Sequence, residues 1–131
     1  MRTDFSLKEH GEKQLSKNFK VKEFACKDGS DKIIIDTELV EVLQKFRDMV
    51  QCPVKIISGY RTDSYNKQCG GSLNSYHLKG MAADVQIGKH ENMTFLALCA
   101  ALCGARGVGR YIGQRFIHID VREKPYTWEV K

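Results

Sequence analysis

Three side chains of metal-ligating type stand apart in the sequence. His77 closes a long polar stretch, whereas Asp84 and His118 each lie within an otherwise apolar run. Burying an unpaired carboxylate is costly, so Asp84 requires a cation or hydrogen-bond donors around it. Two histidines and one carboxylate form a ligand set that leaves one coordination position of zinc open for water. Spacing alone leaves ordinary alternatives open, because a histidine in a strand is commonly structural and Asp84 could cap a turn or pair with Arg61.

The helices that must support these residues can be predicted from apolar periodicity. Apolar residues recur at three- and four-residue steps over 39–50, which predicts an amphipathic helix. Asp36 is placed to cap its first turn, and Pro53 follows its end. The nearly apolar segment 92–103 predicts a second helix that ends at Gly104.

Short apolar and β-branched runs predict the strands that carry two of the three ligands. The predicted strands are 54–58, 82–87, 107–112 and 115–121. A type I′ or II′ turn at Gly113-Gln114 joins the last two as a hairpin. Residues 59–76 are polar and contain glycines, which predicts a long functional loop. The fold class is therefore α+β, with a small, mostly antiparallel sheet flanked by helices.

Length and composition indicate one globular domain. The chain has 131 residues, of which 42% are hydrophobic and 28% are charged. Residues 1–18 are polar and are predicted to be a flexible N-terminal segment, which leaves 19–131 as the single domain. The formal net charge of +5 is modest and accompanies no nucleic-acid-binding motif, so we expect no nucleic-acid partner. We expect a monomer.

The residues around the candidate ligands resemble those of a known family. The resemblance is carried by Ser58-Gly59-Tyr60-Arg61, Asn66, Gly70-Gly71, the run from Ser75 to Asp84, and Phe116-Ile117-His118-Ile119-Asp120. It is to the zinc D-alanyl-D-alanine carboxypeptidases, whose relatives include vancomycin-resistance dipeptidases, phage endolysin peptidases and the hedgehog signalling domain. Those proteins carry a serine-x-histidine, a glycine three residues after that histidine, an aspartate seven after it, and a second histidine on a later strand. The resemblance covers residues 19–128.

This resemblance implies the fold of that family, a Zn²⁺ cofactor and roles for individual residues. His77, Asp84 and His118 would be the metal ligands. Arg61 would meet a carboxylate or carbonyl oxygen of the substrate through its forked donors. Ser75 would either donate to the substrate or hold the loop. The implied substrate is a peptidoglycan stem peptide, with the D-Ala-D-Ala bond as the leading candidate.

The general base of the family has no direct counterpart in this sequence. Many relatives place a glutamate a few residues before the third ligand or a histidine two before it, but no acid lies between Gly104 and His118. The nearest candidate is Asp120, which shares a strand face with His118 because residues i and i+2 point the same way. Asp120 could take the proton as a catalytic base or orient a ligand histidine. Tyr60 and Tyr111 are further candidates for contact with the reacting oxygen.

The sequence therefore predicts a zinc-dependent peptidase that hydrolyses peptidoglycan stem peptides, as a D-Ala-D-Ala carboxypeptidase or an endolysin-like peptidase. The alternative is a zinc-binding recognition module of the same fold that does not hydrolyse its ligand. His10 and His90 lie in polar segments and are assigned no role.

The sequence also suggests where such a protein is made. Five cysteines without a CxxC pair predict reduced thiols, as in a reducing compartment. Residues 1–13 lack the apolar stretch of a signal peptide, and no run approaches the ~18 apolar residues of a transmembrane helix. We expect a soluble protein made in the cytoplasm, which would reach cell wall only if delivered, for example during phage or prophage lysis.

Overall fold

The computed structural model describes residues 1–88 and 92–131. Within them the chain forms, in order, β1 (Arg2–Ser6), α1 (Leu7–His10), β2 (Lys32–Asp36), α2 (Thr37–Val50), β3 (Val54–Ser58), α3 (Asp63–Gln68), β4 (Ala82–Ile87), α4 (Met93–Leu102), β5 (Gly107–Tyr111), β6 (Phe116–Asp120) and β7 (Tyr126–Val130). Two single 3-10 turns cover Val21–Phe24 and Tyr76–Lys79. No helix in these two ranges is long and apolar enough to cross a membrane. The five cysteines are free.

The strands form two sheets. β1 and β2 pair as an antiparallel ribbon, and the other five strands form a sheet in the order β3-β4-β6-β5-β7. Pairing is antiparallel from β3 to β5 and parallel between β5 and β7. The predicted α+β fold with a mostly antiparallel sheet is confirmed, and the parallel edge strand makes the larger sheet mixed.

One face of the larger sheet builds the core. In β6, Ile117 and Ile119 are fully buried among the core side chains. Leu43 and Phe46 of α2 and Leu96 of α4 belong to the same cluster. Because side chains alternate along a strand, the residues between these isoleucines point to the opposite face of the sheet. The functional candidates on β6 therefore lie on the face that the core does not use.

α2 begins as the sequence predicts. The Asp36 carboxylate accepts a hydrogen bond from the backbone N–H of Glu38 at 2.9 Å, which caps the first turn. α2 ends at Val50, and Gln51 follows it in the left-handed region at φ 53°.

The N-terminal segment 1–18, which the sequence predicts to be flexible, contains two regular elements. Arg2–Ser6 is strand β1, and α1 follows with Ser6 as its N-cap. Phe5 packs against the core cluster. The sequence gives little sign of this because β1 is a short edge strand with one half-buried aromatic residue, so its stability comes from pairing with a distant segment. The division between 18 and 19 stays a prediction.

Three further elements were not predicted. β2 and β7 were missed, and α3 lies within the segment predicted as a loop. The turn between β5 and β6 also differs, because it spans residues 112–115 and not two residues. Its left-handed residue is Arg115 at φ 58°, so Gly113 does not supply the positive φ of a type I′ or II′ turn.

Gly80 fixes the approach of the 3-10 turn at Tyr76–Lys79 to the β1–β2 ribbon. Its φ is +72°, and a Cβ there would lie 2.2 Å from the backbone oxygen of Ile34. The Asp36 N–H donates to the Gly80 oxygen at 2.9 Å, so the two backbones are in direct contact. Only glycine satisfies both the conformation and the space.

We expect Gly80→Ala to lower the free energy of unfolding by about 2–4 kcal/mol, since it adds left-handed strain to a backbone clash. Gly29→Ala is the matched control, because Gly29 has φ +85° but open space around it. That variant should cost only the conformational term of about 1–2 kcal/mol. Urea unfolding of both would show the difference, and equal losses would contradict the close approach at Gly80.

Candidate metal centre and its cleft

The structure brings the three predicted ligands together. One donor atom from each of His77, Asp84 and His118 lies within 4.8 Å of the other two, and all three residues are buried. His77 comes from the 3-10 turn, Asp84 from β4 and His118 from β6. Asp84 and His118 are direct cross-strand partners in the β4–β6 register. The sheet therefore fixes two of the three positions.

His77 is oriented by its outer ring nitrogen. Nδ1 lies 2.8 Å from the backbone oxygen of Gly59, which can only accept, so Nδ1 carries the proton. This leaves the Nε2 lone pair facing Asp84 Oδ1 at 3.4 Å. Ser75 caps the turn by accepting the N–H of His77 at 3.2 Å. Ser75 thus holds the backbone that presents the first ligand.

His118 lies between two carboxylates. Its Nδ1 is 3.0 Å from Asp84 Oδ1 and its Nε2 is 2.7 Å from Asp120 Oδ2. Burial acts to lower the pKa of His118, but the hydrogen bonds to Asp120 and Asp84 outweigh burial, so this pKa lies above its ordinary value. Burial likewise acts to raise the pKa of Asp84, but the adjacent His118 and His77 rings outweigh burial and hold this pKa well below its usual range.

The donor set fits zinc. Each histidine hydrogen-bonds through one ring nitrogen to an oxygen acceptor, which is the Gly59 carbonyl for His77 and the Asp120 carboxylate for His118. The other ring nitrogen of each histidine faces Asp84. Ligand histidines of metal sites show this arrangement, because the outer hydrogen bond fixes ring and tautomer. Two imidazole nitrogens and one carboxylate oxygen then leave a fourth zinc position open.

Arg61 is held beside Asp84 by contacts from all of its side-chain nitrogens. Nη2 donates to Asp84 Oδ2 at 3.2 Å, Nε to Ser58 Oγ at 3.0 Å and Nη1 to Asn66 Oδ1 at 3.3 Å. A Cβ at Gly71 would lie 2.1 Å from Asn66 Oδ1, so the loop glycine makes room for this amide. Asn66 and Gly71 therefore shape the loop around Arg61.

Asp120 shares the face of His118 but is closed off from solvent, with an exposed fraction of 0%. Arg122 covers it, donating from Nε to Oδ1 at 2.9 Å and from Nη2 to Oδ2 at 2.6 Å. Burial acts to raise the pKa of Asp120, but the hydrogen bonds from His118 and Arg122 hold it well below its usual range. The carboxylate is therefore an ionised acceptor for the His118 ring.

Two glycines on β5 make the space around the His-x-Asp pair. Gly107 lies opposite Asp120, and a Cβ there would be 2.1 Å from both carboxylate oxygens. Gly109 lies opposite His118, and a Cβ there would be 2.4 Å from the Trp128 indole. That indole packs on the His118 ring with centroids 4.9 Å apart. The Gly-x-Gly of β5 thus complements the His-x-Asp of β6.

A cleft of about 800 Å³ opens over the candidate ligands. This volume suits a small-molecule or peptide ligand. The cleft wall combines the metal-ligating residues with aromatic and basic side chains; it is formed by Ile57, Ser58, Arg61, Tyr65, Cys69, Gly70, Gly71, Ser72, Asn74, Ser75, Tyr76, His77, Asp84, Tyr111, Gln114, Phe116, His118, Arg122 and Trp128.

The other predicted residues divide between those that line the cleft and those that do not. Ser75 and Tyr111 line it. Tyr60 and Asp120 are absent from its wall. His10 is in α1, where its Nδ1 accepts the N–H of Ser6, and His90 lies outside the described residues.

Sequence reasoning missed Arg122, Trp128 and Tyr76. The glycine alternation at 107 and 109 was the available signal for the Trp128 and Asp120 packing. Alternating glycines of this kind indicate a strand face on which large side chains from neighbouring strands pack closely.

The chain matches a family model and several solved structures. A family model described as Peptidase M15 matches residues 17–120. No curated protein sequence matches the chain. Among solved structures, the crystal structure of the L-Ala D-Glu endopeptidase ChiX of Serratia marcescens is similar, with 21% sequence identity and a TM-score of 0.45. The aligned region covers 53% of this chain and 62% of that one.

Asp84→Ala should abolish stoichiometric zinc binding, because it removes the only carboxylate ligand and leaves two imidazoles. Metal analysis after equilibrium dialysis should fall from one zinc per chain to about one tenth or less. Asp63→Asn, which changes an exposed aspartate outside the cleft, is the control and should keep full occupancy. Full zinc retention in the Asp84 variant would refute this ligand set.

Proposed function

The chain belongs to the peptidase M15 family, and on that premise we propose that it is a zinc-dependent peptidase that hydrolyses peptidoglycan stem peptides. The observation that carries the proposal is the buried set of His77, Asp84 and His118 in the wall of a cleft large enough for a peptide. Arg61 in the same wall adds a cation next to the donors.

The proposed chemistry is hydrolysis of an amide bond. Zinc in such a site supplies Lewis acidity, which lowers the pKa of a water at the open position and polarises a carbonyl oxygen. Arg61 is the first protein group placed to stabilise the negative oxygen, because it lies beside Asp84 and faces the cleft.

Tyr111 is a second donor. Trp128 Nε1 donates to its hydroxyl oxygen at 3.1 Å, so the phenolic proton is available for a substrate oxygen.

Asp120 acts through His118. The sequence suggested a catalytic base at this position, but the carboxylate is fully buried and its oxygens are occupied by His118 and Arg122. An ionised acceptor at Nε2 keeps the Nδ1 lone pair of His118 directed at the metal position. We therefore propose that Asp120 is a positioning residue.

The leading bond is the terminal D-Ala-D-Ala amide, by the resemblance of the Ser75–Asp84 motif to the carboxypeptidases. An internal stem-peptide bond is the alternative within the same chemistry. The two differ in whether the cleft accepts a free C-terminus or a chain that continues beyond the cut.

A non-catalytic zinc-binding module is the second candidate, and one observation favours it. Among the described residues, Asp84 is the only carboxylate in the cleft wall, so no separate acid is placed to take a proton from water. A recognition module would keep the metal and the cleft and would not need that acid.

Incubation of the zinc-loaded chain with the pentapeptide L-Ala-γ-D-Glu-L-Lys-D-Ala-D-Ala separates these functions. We expect release of free D-alanine, detected by mass spectrometry, and loss of this activity on chelation of zinc. Release of L-alanine would assign an internal endopeptidase. Stoichiometric zinc without any cleavage would replace the peptidase with the recognition module.

Asp120→Asn tests the positioning role. Loss of the group that accepts a hydrogen bond from a ligand histidine typically lowers metal affinity by about 10–100-fold. We therefore expect weaker zinc binding in this variant and recovery of kcat at saturating zinc. A general base would behave differently, because its loss lowers kcat by about 10²–10⁴-fold even at full zinc occupancy. The pH profile of kcat should keep its shape in the variant. Loss of the acidic limb of the kcat pH profile at full zinc occupancy would instead assign Asp120 as the general base.

A further inference from the structure

Arg122 lies in the cleft wall but is absent from the predicted machinery. Its side chain is 18% exposed, and its guanidinium packs against aromatic rings. Its Cζ is 4.6 Å from the Tyr76 ring centroid and 5.3 Å from that of Trp128. These cation–π contacts hold the guanidinium in place, and its N–H groups point outward in its own plane, where a ligand can accept hydrogen bonds from them.

One edge of Arg122 is occupied and the other is open. Nε and Nη2 both donate to Asp120, whereas Nη1 has no partner among the described residues. Arg61 differs, because each of its three side-chain nitrogens already has an acceptor. Of the two arginines in the cleft wall, Arg122 is therefore the one with a side-chain nitrogen, Nη1, that has no acceptor among the described residues and can donate to a ligand.

The charge balance of the cleft favours an anion at that edge. Arg61 is paired with Asp84 and Arg122 with Asp120, and a bound zinc ion would add two positive charges. No other carboxylate of the described chain lines the cleft. Stem peptides carry carboxylates, both at the C-terminus and on the D-glutamate residue. Because aromatic rings hold the Arg122 guanidinium in place, its free edge is well suited to bind a planar carboxylate.

We propose that the Nη1 edge of Arg122 binds a free carboxylate of the peptide and makes the protein select acidic peptides over their amidated forms. This inference rests on the proposed function for the nature of the ligand. Arg122 is then a specificity-determining residue, in addition to its contact with Asp120.

The experiment compares three peptides on the zinc-loaded chain: the pentapeptide above, its D-glutamate α-carboxamide and its C-terminal carboxamide. The measured quantities are kcat/KM at whichever bond is cut and Kd from the emission of Trp128. Trp128 is the only tryptophan and contacts Arg122, so its emission reports binding without turnover. The two amides distinguish the two possible carboxylates.

We expect the acid to be preferred about tenfold or more over one of the two amides, and the preference to fall to about one in Arg122→Gln. A substitution that acted only through Asp120 would weaken acid and amide equally. Arg110→Gln is the control, because Arg110 pairs with Glu129 outside the cleft, and it should keep the wild-type preference. Arg122→Lys retains the charge without the fork and should show an intermediate preference.

The outcomes separate this inference from the proposed function. Acid selectivity in Kd that depends on Arg122, without cleavage of any peptide, would support the inference and refute the peptidase. Cleavage without selectivity in the wild-type protein, or selectivity that survives in Arg122→Gln, would overturn the inference. Absence of saturable binding for all three peptides would overturn it as well. If Arg122→Gln does not fold, the wild-type comparison and Arg122→Lys still decide.

Discussion

The site depends on the burial of one carboxylate. Asp84 is 5% exposed in an almost entirely buried strand, where an unpaired charge would be strongly destabilising. Its oxygens face three partners, His77, His118 and Arg61, each from a different part of the chain. Removal of any one partner weakens the stabilisation of this buried charge, so the fold must hold a turn, a strand and a loop in fixed positions around β4. Those positions also gather the donors that a metal ion requires.

The same constraint extends outward through alternating charges. His118 connects Asp84 to Asp120, and Arg122 compensates Asp120 in turn. Each buried ion is therefore paired, and no buried side-chain polar atom in the described chain lacks a partner. The outermost group, Arg122, also lines the cleft. A group that compensates a buried charge can thus contact a ligand without a separate binding element.

The sequence predicted which three side chains come together as candidate ligands, because a carboxylate or an imidazole in a largely apolar strand requires a partner. It also predicted α2, α4 and the strands β3 to β6, whose patterns are local. It could not predict β1 or β7, because neither contains a buried residue and each becomes a strand only by pairing with a distant partner. The burial of Asp120 could not be predicted for the same reason. Periodicity gives the face of a strand, but burial on that face depends on Gly107 and Arg122, which belong to other segments.

Strand β6 carries core residues on one face and a candidate metal ligand on the other. Ile117 and Ile119 are buried with the core, while His118 and Asp120 occupy the opposite face. A slip of one residue would exchange these faces and bury two charges in the core. Antiparallel neighbours on both sides, β4 and β5, oppose such a slip through the pairs Asp84–His118 and Gly107–Asp120. The register that stabilises the core is therefore the register that assembles the ligands, so selection for a stable sheet and for a metal site acts on the same pairs.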